Sequence, residues 1–175
     1  MAGTGPDDLQ LLAQEFLDAV EEALDTIPTY NASLEGAPER KFVTFGTPAL
    51  DCCEQLSVHV GILSEGSSAP TVPKASIARI NRVQLIATFT RCVPSPDMTN
   101  PPPAVEIEAA AAQINADKWA VWNHIYNLIN ADMLFDKCCD VIWGPLAPLQ
   151  PSGGCGGSTL SMQVCYDGYE EVQGT

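Results

Sequence analysis

The chain of 175 residues, 46% of them hydrophobic, is long enough for one domain with a full core, and 22 acidic against 8 basic residues give it a formal charge of −14. That balance argues against a general grip on nucleic-acid phosphates, which needs clustered Lys and Arg. No apolar run approaches the roughly 20 residues that cross a bilayer, and residues 1–8 lack the basic start and apolar middle of a signal peptide. The expectation is a protein made and kept in the cytosol, or in something assembled there.

The chain opens with an amphipathic pattern. Leu9, Leu12, Phe16, Val20, Ala23, Leu24 and Ile27 form one stripe, with Gln14, Glu15, Asp18, Glu21, Glu22 and Asp25 opposite. Pro6, Asp7 and Asp8 suit the first turn of a helix, where a fixed φ and negative charge are both favourable, and Pro28 closes it. Residues 1–40 hold nine acids and one base, Arg40. Such a face is either solvated or turned to a partner.

Residues 41–95 read as β. A short strand over 41–45 ends at Gly46 and Pro48. Leu56, Val58, Val60 and Ile62 then alternate with Gln55, Ser57, His59 and Gly61, and Val83, Leu85, Ala87 and Phe89 alternate with Arg82, Gln84, Ile86, Thr88 and Thr90. This period of two predicts two antiparallel strands with one buried face each. Between them residues 63–80 are too many for a tight turn and read as an extended loop, which in a compact domain is usually functional or disordered.

The central stretch, 104–140, organises the rest. Pro101-Pro102-Pro103 keeps a helix from starting earlier and leaves its last proline where helices tolerate one, so the helix begins near Ala104. Val105, Ala109, Ala112, Ala116, Trp119, Val121, Trp122, Ile125, Tyr126, Leu128 and Ile129 are read as its core side, and Glu106, Glu108, Gln113, Asp117, Lys118, Asn123 and Asn127 as its outer side. The run is one kinked helix or two, with Asn115-Ala116-Asp117 or Asn130-Ala131-Asp132 as the break. A strand over 140–143 is predicted to end at Gly144-Pro145. The glycines of 153–157 read as a flexible turn feeding a last strand with Leu160, Met162, Val164 and Tyr166 on one side; they lack the Lys-Ser/Thr ending of a phosphate loop. Residues 169–175 read as an acidic tail.

The predicted fold is α+β: a single layer of four to five mostly antiparallel strands, with an N-terminal helix and a long central helix on one face, in a single domain over 1–175. The other face, with Gln55, Ser57, His59, Gln84, Thr88, Thr90, Ser161 and Gln163, is polar and nearly uncharged, suiting solvent or another subunit. The seven cysteines read as reduced, mostly buried thiols. Cys52-Cys53 and Cys138-Cys139 lack zinc-knuckle spacing, and His59 and His124 lie far apart, so no metal or cofactor site is expected. A cysteine paired in space with His59 or His124 would make a small cytosolic thiol enzyme, the alternative from another class.

Several phrases carry a resemblance. Asp51-Cys52-Cys53-Glu54-Gln55-Leu56-Ser57-Val58, Thr90-Arg91-Cys92-Val93-Pro94, Ala116-Asp117-Lys118-Trp119-Ala120-Val121-Trp122, Trp143-Gly144-Pro145-Leu146 and Pro151-Ser152-Gly153-Gly154-Cys155-Gly156-Gly157 resemble, in that order, the tail terminator proteins of actinobacterial siphophages. The likeness spans about residues 44–166. It implies a structural virion protein without an active site, forming a ring, commonly a hexamer, at the head-proximal end of the tail. The implied partners are the major tail tube protein, a neck or connector protein, and further copies of the chain, with DNA passing the lumen without specific binding and no membrane. A neck stopper or adaptor would share size, acidity and ring formation. For the ring contact, residues 66–96 contain no acid but Lys74, Arg79, Arg82 and Arg91, opposite in sign to residues 1–40. Glu65, Lys74, Arg79 and Arg82 are accordingly the candidate interface residues.

Overall fold

The computed structural model describes residues 6–49, 54–66, 80–95, 100–135, 140–152 and 154–166. Chain order is α1 (Pro6–Asp25), α2 (Ile27–Tyr30), β1 (Arg40–Thr44), β2 (Gln55–Gly66), β3 (Ile80–Cys92), α3 (Ala104–Asn130), β4 (Asp140–Ser152) and β5 (Cys155–Tyr166). The strands form one five-stranded sheet in the order β1-β2-β3-β5-β4. Only the β1–β2 pair is parallel; the other three are antiparallel. The α+β expectation therefore holds.

Alternation builds the core. Leu56, Val58 and Val60 of β2 pair in register with Phe89, Ala87 and Leu85 of β3. Those residues in turn meet Ser158, Leu160 and Met162 of β5. Apart from Ser158 they make one apolar sheet face, and the buried stripe of α1 (Ala13, Phe16, Val20, Ala23, Leu24) and Val121 and Ile125 of α3 complete the same core. Asp25 ends α1, and Pro28 sits in the first turn of the short α2, as its fixed φ favours.

Several expectations need correction. Helix α3 runs unbroken through 115–117 and ends at Asn130, the second of the two candidate breaks, where Ala131 caps it and Asp132 turns at φ 53°. Its buried line is Gln113, Asp117, Val121 and Ile125, so two residues read as outer face inward, while Val105, Trp119 and Tyr126 are exposed. The cause is Arg91, which lies on the helix-facing side of β3 and is answered by a carboxylate from α3. Strand β4 is not ended by Gly144-Pro145: the register shifts between Trp143 and Leu146 and pairing resumes, because an edge strand can absorb a proline at a bulge. Glycines 156 and 157 are strand rather than loose turn, and a side chain at Gly157 would overlap the carbonyl oxygen of Phe89.

Strands β2 and β3 extend to Gly66 and from Ile80, so the connection is shorter than 63–80. Residues 67–79 and the 169–175 tail lie outside the described residues. Cys165 is disulfide-bonded, which corrects the reading of wholly reduced thiols.

Candidate functional site

The polar sheet face is divided. Gln55, Ser57, Thr88 and Thr90 are buried, whereas Gln163 is exposed and His59, Gln84 and Ser161 lie between. Gln84 Nε2 donates to Ser161 Oγ at 2.9 Å, and Gln55 Nε2 to the Ala49 carbonyl at 3.3 Å. Gln55 Oε1, Ser57 Oγ and His59 Nδ1, spaced two apart along β2, have no hydrogen-bond partner among the described residues. Burial of His59 pushes its pKa below the ordinary imidazole value.

At the opposite side of the molecule α3 meets β4. Trp143 packs in a tilted arrangement against Trp122 at 4.9 Å between ring centroids and against Tyr126 at 6.1 Å. A groove of about 470 Å3 beside this cluster is lined by Asn115, Lys118, Trp119, Trp122 and Leu146. A second, of about 390 Å3, lies between α2 and α3 and includes Tyr30, Leu34, Ala120 and His124. Trp119 borders both grooves and is 60% exposed, a ridge rather than a core residue. Farther along α3, residues 104–112 are exposed except for half-buried Ala110, with Val105 69% and Ile107 49% accessible. Large apolar side chains outside the core on one helix mark an interaction surface more often than a catalytic one.

The helix is anchored from behind. Arg91 Nε donates to Asp117 Oδ2 at 2.8 Å and its Nη2 to Oδ1 at 3.1 Å, a bidentate buried pair, while Nη2 also reaches the Gly36 carbonyl. Gln113 Nε2 donates to Asp117 Oδ1 at 2.8 Å and to the Glu35 carbonyl, and its Oε1 accepts from the Glu35 amide. The network ties β3, α3 and the 31–39 loop together behind the groove.

Of the candidate interface residues, Arg82 donates to Asp140 of the same chain at 3.1 Å. Glu65 lies on β2 opposite Asn81, and Lys74 and Arg79 lie outside the described residues. Sequence pattern alone hides this helix surface, because a periodic apolar pattern looks the same whether it is buried by its own chain or left open. Two signals were present: the run Ala104-Val105-Glu106-Ile107 precedes the first buried residue, Gln113, and Trp119 and Trp122 cannot both share the face of Val121 and Ile125. Among the described residues no group of three His, Cys, Asp or Glu side chains could hold a metal, and no helix is long and apolar enough to cross a membrane.

No protein-family model matches the chain, and no curated protein matches it in sequence. Among solved structures it is similar to the sheath/tube terminator, in the extended state, of the PVC extracellular contractile injection system: 12% identity, TM-score 0.40, covering all of this chain and 63% of that one. The chain thus spans less than two thirds of that neighbour's length.

Proposed function

We propose that this protein is a structural tail terminator of a siphophage, a ring former that sits on the end of the tail tube, stops its polymerisation and joins it to the neck. The observation that carries the reading is that α3 of one small domain exposes large apolar side chains at two separate places, in its first turns (Ile107, with Val105 on another side of the helix) and at Trp119. Two different patches per subunit are what a closed ring needs, since each contact is heterologous. The sequence phrases that resemble siphophage terminators agree with it, and a charge of −14 suits a lumen that DNA passes without being held. The protein is accordingly read as non-enzymatic, assembled in the host cytoplasm and resident in the virion.

Electron microscopy of the protein mixed with polymerising tail tube protein tests this. Tubes of arrested length with an annular density at one end are expected. Tubes that elongate unchecked, with the protein free or bound only to capsid portals, would overturn the terminator reading in favour of a neck stopper or adaptor.

A further inference from the structure

We propose that the ring contact is made by α3 twice over: the projecting first turns of one subunit's helix, with Ile107 foremost, seat in the Lys118/Trp119/Trp122/Leu146 groove of the next copy, and Glu106 and Glu108 flank Lys118 there. The proposal rests on the ring reading above and names its interface.

The first observation is that both edges of the sheet, β1 and β4, are poor templates for an added strand. Strand β1 is five residues long and begins Arg40-Lys41, and β4 carries Pro145, Pro148 and Pro151, which have no N–H to donate. Short, charged or proline-bearing edges resist strand addition, so a second copy is turned toward side-chain surfaces. The second is the projecting end of α3. The helix buries no residue before Gln113, leaving nine residues, about 13 Å, of Ala-Val-Glu-Ile-Glu-Ala-Ala-Ala-Ala beyond the core. Its alanines permit close approach of another backbone, and its two large apolar side chains face water in the single chain.

Charge selects the occupant. Lys41 pairs with Glu21, Arg82 with Asp140 and Arg91 with Asp117, but Lys118 is in no ion pair among the described residues. It lines an apolar groove beside two tryptophans in a strongly acidic protein. The matching object is an apolar knob with carboxylates on it, and the exposed end of α3 is one: Glu106 and Glu108 bracket Ile107. The chain cannot satisfy itself, because on a straight helix the 10 and 12 residues separating Glu108 and Glu106 from Lys118 span about 15 and 18 Å. Ile107 and Lys118 nevertheless lie within about 20° of one another around the helix, so a neighbour displaced along that face brings knob to groove. The two patches differ, which makes the contact head-to-tail, as a ring requires.

The separation supplies the test. A zero-length carbodiimide cross-linker cannot bridge Lys118 to Glu106 or Glu108 within one chain, so peptides joining them, identified by mass spectrometry of assembled rings or capped tubes, report contact between copies. That cross-link is expected in the assembled protein and absent from dilute monomer. In parallel, sedimentation of Lys118→Glu, of Glu106→Lys/Glu108→Lys and of the combined charge swap is compared with the wild type, with circular dichroism to verify folding. Each one-sided variant should weaken assembly at least about tenfold, and the swap should restore most of it. Rings that form undiminished in the one-sided variants without the cross-link, or a swap that restores nothing, would overturn the interface and leave the ring standing. A wild-type protein that neither forms rings nor caps tubes would remove both.

Discussion

At the scale of single residues, stability is concentrated where a charge had to be buried. Arg91 occupies a core-facing position on β3, where its guanidinium donates to Asp117 and the Gly36 carbonyl, and Gln113 in turn donates to Asp117. Removing one partner of a buried pair strands the other, so Asp117→Ala should destabilise the fold by about 3–5 kcal/mol, measured by urea denaturation. The double replacement Arg91→Met/Asp117→Leu should recover most of that loss, since an apolar pair of similar volume leaves no uncompensated charge. An Asp117→Ala midpoint equal to the wild type would show that the pair is dispensable. None of this was legible in the sequence, where Arg91 reads as the end of a strand and Asp117 as an outward helix residue; the partners are 26 residues apart. His59 gives a second prediction, whose sign follows from its lowered pKa. The unfolded imidazole titrates near about 6.5 and the folded one lower, so as pH falls through about 6.5 the unfolded chain takes up a proton first and stability is lost down to the folded pKa. Melting temperatures from pH 7.5 to 5.5 should therefore fall more steeply for the wild type than for His59→Gln. Equal slopes would mean that His59 is as well solvated folded as unfolded.

At the scale of elements, alternation and punctuation specify structure where they act locally and mislead where tertiary contact decides. The period of two in Leu56 to Val60 and Val83 to Phe89 identified β2, β3 and their antiparallel pairing, and three prolines located the start of α3. Gly144-Pro145 reads as a stop in the sequence because a glycine-proline pair is the same in a bulge as in a turn. Here Gly144 passes so close to β5 that an added Cβ would lie 2.6 Å from the Ser161 carbonyl oxygen. The glycines of β5 are likewise fixed by proximity. Gly157→Ala would drive a methyl group into the Phe89 carbonyl and to 2.8 Å from Thr90 Cα, both backbone atoms that cannot swing aside. It should cost about 1–3 kcal/mol or more, as overpacking does. Gly61→Ala is the control: its nearest contact is the amide end of the Gln84 side chain at 3.1 Å, which can rotate away. Thermal melts in which both variants behave alike would show that β5 yields as easily as a side chain does.

At the scale of the whole molecule, charge opposes the assembly that the apolar patches favour. Each subunit carries −14, and the basic excess of residues 66–96 is already drawn inward at two of its four bases, Arg82 to Asp140 and Arg91 to Asp117. What a neighbour meets at long range is therefore mainly repulsion. The screening length shrinks from about 30 Å at 0.01 M salt, comparable to a small domain, to about 8 Å at 0.15 M, so salt removes this repulsion before it reaches the short-range contacts of the groove. A Lys118–glutamate contact set against two tryptophans is partly desolvated and screened much less than the exposed acids of α1. Self-association measured by light scattering should accordingly strengthen as sodium chloride rises from about 0.01 to 0.15 M, and Lys118→Glu should lie below the wild type at every salt concentration. The opposite trend, rings that loosen steadily with salt, is what an attraction between Lys74, Arg79 and Arg82 and a neighbour's acidic residues 1–40 would produce. That outcome would move the principal contact from α3 to the basic segment.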